Sequence, residues 1–144
     1  MAAFLFLPIW SKTDAETGST ATLTAFSLEK TAIAGTEAAA TSTGTFALAI
    51  LAVLAAGVAI YEIFQYKNRL SQMKLGMLNT LIMVGLLVTM VYYSYYVGEE
   101  LFAGAPGERE AAFYLPFLAL ILNALSNRFI RRDEQLVRSV DRLR

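Results

Sequence analysis

Three polar residues stand inside otherwise apolar stretches: Glu62, Asn79 and Asn123. Hydrocarbon offers such side chains no partner, so a carboxylate and two amides there must find one another, water or a transported species. Two kinds of chemistry fit. Glu62 could anchor a proton or ion site. Alternatively, the three groups could form a hydrogen-bonded knot locking three helices, at about 0.6 to 2 kcal/mol per bond. The knot is favoured, because a single carboxylate near a span end, in a chain without histidine, is poor material for a relay. Glu62 can also snorkel toward Lys67.

Cations form the second candidate set. KNRLSQMK, residues 67 to 74, supplies Lys67, Arg69 and Lys74 with no acid. The final stretch SNRFIRRDEQLVRSVDRLR, residues 126 to 144, holds six arginines against three acids, among them Arg128, Arg131, Arg132, Arg138 and Arg142. On a helical wheel Phe129, Leu136, Val140 and Leu143 fall together, flanked by Ile130 and Val137, with the charges opposite. Glu134 with Arg138, and Arg138 with Asp141, are spaced to pair along the helix. Such internal pairing and a net charge of zero for the whole chain argue against nucleic acid. The basic excess suits anionic lipid, at about 1 kcal/mol per basic residue near the surface, or a docking partner.

Much chemistry is excluded. With no Cys and no His, disulfides, thiol nucleophiles, structural zinc and the commonest general base are absent. We expect no catalytic residue, cofactor or metal ligand, and the chain does not read as an enzyme.

The elements that must position these residues are apolar helices. Apolar residues make up 56% of the chain and charged ones 17%, with mean hydropathy +0.50; soluble domains carry about 25% charged residues. The runs 45–66, 75–97 and 111–130 are each long enough to cross a hydrocarbon core of about 30 Å. MAAFLFLPIW is half a span and lacks the basic start of a signal peptide. It reads as a re-entrant piece or as the rest of a first helix. Ala52 with Ala56, Ala55 with Ala59, and Gly85 with Thr89 have the small-xxx-small spacing of helix contacts, and Pro116 is placed to kink the third run.

Charge gives orientation. Segments 67–74 and 131–144 are basic; 11–44 and 98–110 are acidic. The positive-inside rule makes the basic pieces cytoplasmic and the acidic ones external. Tyr92, Tyr93, Tyr95 and Tyr96, with Phe113 and Tyr114, form the outer aromatic belt, and Tyr61, Phe64 and Tyr66 the inner one. Glu62, Asn79 and Asn123 are then expected at similar depth in the inner leaflet. Within 11–44, TATLTAFSL alternates polar and apolar residues, which predicts a short strand or hairpin. AGTEAAATSTG has no pattern and reads as a flexible lead-in, and GAPGERE as a tight turn before a helix that opens on acids.

IFQYKNRLSQMKLGMLN (63–79), NRFIRRDEQLVRSVDRLR (127–144) and FLPIW (6–10) resemble a family of small bacterial membrane proteins, the domain of unknown function 4293, typical of the Bacteroidota. The resemblance covers essentially the whole chain. It implies a four-helix inner-membrane protein with a longer loop after the first helix, and it carries over no catalytic residue. Members of that family usually begin further upstream with a basic residue and a full first helix, so the first helix here is expected to be truncated.

The expected fold is therefore all-α: a transmembrane bundle of four helices, the first partial (1–10), plus a C-terminal amphipathic cytoplasmic helix (131–144). The expected location is a bacterial inner membrane, multi-pass, with the C-terminus cytoplasmic. Membrane lipids are the expected partners, with a larger membrane complex as the other candidate. The leading expected role is an accessory or scaffold protein; the alternative is a small transporter or ion-conducting subunit built on Glu62, Asn79 and Asn123.

Overall fold

A computed structural model describes residues 2–13, 19–31, 42–97 and 107–141. Helix α1 (Ala2–Phe6) is followed by strands β1 (Trp10–Thr13), β2 (Thr20–Leu23), β3 (Ser27–Thr31) and β4 (Ser42–Gly44). Helices α2 (Phe46–Phe64) and α3 (Arg69–Tyr92) come next, α3 ending in a π-helical turn, Tyr93–Val97. Strand β5 (Glu108–Arg109) leads into α4 (Ala111–Asp141).

The all-α expectation is overturned. Five strands form one antiparallel sheet in the order β4-β3-β2-β1-β5. The alternation in TATLTAFSL does mark a hairpin: β2 and β3 pair with Leu23 opposite Leu28 and Thr20 opposite Thr31. Thr24 closes it, its hydroxyl donating to the Ser27 carbonyl and accepting from the Ser27 amide. Trp10–Thr13, expected to close an apolar first segment and open a loop, instead form the strand between β2 and β5. Pro8 explains the short α1, since proline cannot continue a helix and drives its predecessor toward extended backbone.

The sheet side has its own small core. Phe4, Ile9, Trp10, Ala21, Leu23, Ala25 and Leu28 are buried there and run on into Leu48, Leu86, Met90 and Phe113 of the helices. Thr45 joins the two layers: its hydroxyl donates to the Thr24 carbonyl and its amide to the Phe26 carbonyl.

Among the described residues three helical segments are long and apolar enough to cross a membrane: Phe46–Phe64, Arg69–Tyr96 and Ala111–Ser139. Each buries one narrow stripe. On α2 it runs through Leu48, Ala52, Ala55 and Glu62; on α3 through Gly76, Asn79, Met83, Leu86 and Met90. These positions recur every three or four residues, the helical period. The remaining apolar side chains face outward, among them Ile50, Val53, Ile60, Leu81, Val88, Leu118 and Ile121. The alanine pairs contribute to the α2 stripe, with Ala52 and Ala55 buried and Ala56 and Ala59 half-buried. Gly85 and Thr89 do not form a helix contact: a side chain at Gly85 would meet open space, and the Thr89 hydroxyl bonds the Gly85 carbonyl of its own helix.

Two further boundaries are corrected. The connection between α2 and α3 is only residues 65–68; Arg69 to Lys74 already belong to α3, whose start is capped by Asn68 accepting from the Ser71 amide. The arginine tail is not a separate helix. It continues α4 without a break, giving 31 residues and about 46 Å at 1.5 Å per residue. Nothing between Ile130 and Arg131 favours ending it, since no Gly or Pro intervenes.

Candidate functional site

The contact between α3 and α4 holds the polar site. Gly76, without a side chain, lets the helices meet closely. A Cβ placed there would collide with the amide of Asn127. Into this gap Asn123 donates from Nδ2 to the Gly76 carbonyl at 3.0 Å and to the Thr80 hydroxyl at 2.9 Å. Thr80 in turn donates to the Gly76 carbonyl at 2.9 Å. Asn79 Nδ2 reaches Asn123 Oδ1 at 3.5 Å, a long bond. The structure therefore brings two of the three expected polar residues together and adds Gly76, Thr80 and Asn127.

Glu62 is placed differently. It lies in the last turn of α2, whereas Asn79 is in the third turn of α3. It is 6% exposed, and its carboxylate makes no hydrogen bond or ion pair among the described residues, Lys67 included. Its position is explained by the stripe on which it falls, four turns along from Leu48 on the face that packs against α3. Two more buried acceptors lack donors, Asn79 Oδ1 and Asn127 Oδ1.

The cations divide into paired and unpaired. Arg69 lies 3.6 Å from Asp133, bracing α3 to α4, and Arg138 bonds Glu134 at 2.9 Å along its own helix. Arg128, Arg131 and Arg132 have no acidic partner among the described residues. Lys67 lies beside the Tyr66 ring, and Lys74 is exposed. Along the tail Phe129, Leu136 and Val137 are exposed, so the apolar stripe expected there has no cover within the chain. Arg142, Leu143 and the side chains of Val140 and Asp141 lie outside the described residues, as do residues 34–41 of AGTEAAATSTG, residues 104–106 of GAPGERE and the acids Glu99 and Glu100. No group of three or more potential metal-ligating side chains occurs among the described residues.

At the sheet end, Arg109 is held between aromatics, its guanidinium 5.4 Å from the ring centres of both Tyr95 and Phe113 and bonded to the Tyr95 hydroxyl. Ser11 donates to the Glu110 carboxylate at 2.9 Å, and the Glu110 amide donates to the Ile9 carbonyl. The start of α4 is thereby clasped to the N-terminal strand.

Asn123 thus joins α4 to Gly76 and Thr80 of α3, and Arg128, Arg131 and Arg132, without acidic partners among the described residues, follow it on α4. Among the described residues the protein has three long apolar helices and a small antiparallel sheet. It belongs to the family described as domain of unknown function (DUF4293), whose model matches residues 1–143. No curated protein and no solved structure matches it.

Proposed function

We propose that this is an integral membrane protein of a bacterial inner membrane, crossing it with α2, α3 and α4, and acting as an accessory or scaffold protein. The basic end, where α2 turns into α3 and α4 overruns the bilayer, is cytoplasmic and binds a partner or anionic lipid. The sheet lies on the outer side.

The observation that carries this reading is the apolar girdle. In the most apolar window of each helix only 28%, 28% and 17% of residues are buried inside the protein. A soluble helix would turn polar residues to that face. Lipid is the solvent in which such a surface is stable. The orientation is supported by Arg69, Lys74, Arg128, Arg131 and Arg132 at one end and the positive-inside rule. At about 46 Å, α4 exceeds a hydrocarbon core of about 30 Å, which leaves its charged last turns in water.

The test is gentle detergent extraction with an affinity tag near Gly35, followed by mass spectrometry. A stoichiometric partner should co-purify and be lost on charge reversal at Arg131 and Arg132. A protein that emerges alone, with no partner or anionic lipid, defeats the accessory reading.

A second reading, a small transporter or ion-conducting subunit, is favoured by one observation. Glu62 is a buried carboxylate without a partner among the described residues, an arrangement that is expensive in a membrane and common on ion paths. Glu62→Gln should abolish flux into proteoliposomes on that reading and leave co-purification unchanged on the first.

A further inference from the structure

We propose that the groove between α3 and α4 at the basic end is a binding site for the phosphate headgroup of an anionic glycerophospholipid. The assignment rests on the membrane reading above and deepens it, giving one ligand class to one part of the basic end.

The groove is a cavity of about 700 Å³. Arg128, Arg131 and Arg132 line it, with Asn127 and Gln135 adding amides, and no carboxylate among the described residues faces it. The two described acids nearest in sequence are engaged elsewhere: Asp133 with Arg69 and Glu134 with Arg138. The charge is therefore sorted, with paired arginines outside the groove and unpaired ones within it.

That sorting has a cost that nothing among the described residues offsets. Residues three and four apart on a helix are neighbours, and like charges so placed repel. Arg128 stands in this relation to both Arg131 and Arg132. Arg131 reaches back to the Met77 sulfur at 3.9 Å, a weak acceptor that any phosphate oxygen surpasses. An anion with several oxygens would relieve the repulsion and accept from the guanidinium forks, the geometry for which arginine is suited.

The source of the phosphate follows from depth. Arg128 lies near the end of the apolar run 111–130 of α4, at the level of headgroups if the helix spans. Met77, Thr80 and Ala124 continue the groove wall toward the apolar girdle. An acyl chain can follow that path, and a soluble phosphate has no use for it. Basic pockets between helices on the cytoplasmic side are a recurring way of holding anionic headgroups.

Native mass spectrometry of the full chain in mild detergent, with phosphatidylglycerol or phosphatidylethanolamine added, tests this. The wild type should retain phosphatidylglycerol over phosphatidylethanolamine. Arg128→Gln with Arg131→Gln should weaken phosphatidylglycerol binding at least about tenfold, the scale of losing charge-assisted bonds. Arg138→Gln, outside the groove, should leave it unchanged. Gln135→Glu, at an exposed position, should weaken binding comparably by bringing a carboxylate to the site without disturbing packing. Equal retention of the two lipids, or equal losses from Arg138→Gln and the groove variants, would overturn the assignment. So would inorganic phosphate competing off the lipid at equal concentration, since the site would then serve a soluble anion. Alkaline carbonate extraction of the wild type comes first. Its release into the supernatant defeats the membrane reading itself, whereas retention without lipid preference defeats only the groove.

Discussion

Gly76→Leu should separate α3 from α4 and lower stability in detergent by about 3 kcal/mol, combining overpacking at about 1 to 3 kcal/mol with lost interhelical hydrogen bonds. The reason is local. The position has no room for a side chain beside Asn127, and its carbonyl accepts from both Asn123 and Thr80. A branched chain there must displace α4, and the bonds from Asn123 to Gly76 and Thr80 lengthen together. Titration with a denaturing detergent, read by circular dichroism, measures the change. Gly76→Ala discriminates further. Its methyl group meets only the movable end of Asn127, so the cost should be about 1 kcal/mol and should largely vanish when Asn127 is also alanine, as coupled neighbours behave in a double-mutant cycle. If Gly76→Leu unfolds at the wild-type midpoint, the close crossing is not what holds these helices.

The second large effect is expected from Trp10→Ala, at about 3 to 5 kcal/mol for truncating a buried indole. Trp10 is 5% exposed, pairs with Leu23 on one side and Arg109 on the other, and covers Gly107 so closely that no side chain fits there. Its loss should release β5 while leaving the helices intact. Arg109 supplies the readout, because β5 pairing and the rings of Tyr95 and Phe113 hold it away from a protease. Trypsin should cut after Arg109 far faster in the variant, at unchanged helical content. Gly107→Val should reproduce this from the opposite partner. Cleavage at the wild-type rate in both would show that the sheet is closed by something else.

The long helices were legible because a run of some twenty apolar residues is a signal summed over many positions. Their ends were less so. Hydropathy marks where the greasy part stops, whereas a helix continues until a cap or breaker, which is why α3 begins at Arg69 and α4 passes through Arg131. The sheet was largely hidden. Only β2 and β3 alternate over enough residues to show a period; β4 and β5 have three residues and two. Trp10 was masked by its apolar neighbours, and its pairing with Arg109 joins residues distant in the chain. At the polar site Asn79 and Asn123 stood out against hydrocarbon. Gly76 and Thr80 did not, since small residues look harmless until a second helix is laid on them, and Asn127 lies beside Arg128 near the end of the third run, where polar residues are ordinary.

The clasp between the first strand and the last helix also bears on when the protein can finish folding. β1 is made early, but its outer neighbour β5 is made 99 residues after Trp10, counting to its pairing partner Arg109. At about 5 to 20 residues per second, ribosomal synthesis separates the two by about 5 to 20 s. Until then β1 presents an unpaired edge, the kind of surface that recruits wrong strands. That edge can close only once β5 has been made, so completion of the sheet reports that synthesis has passed the connection between the second and third long helices.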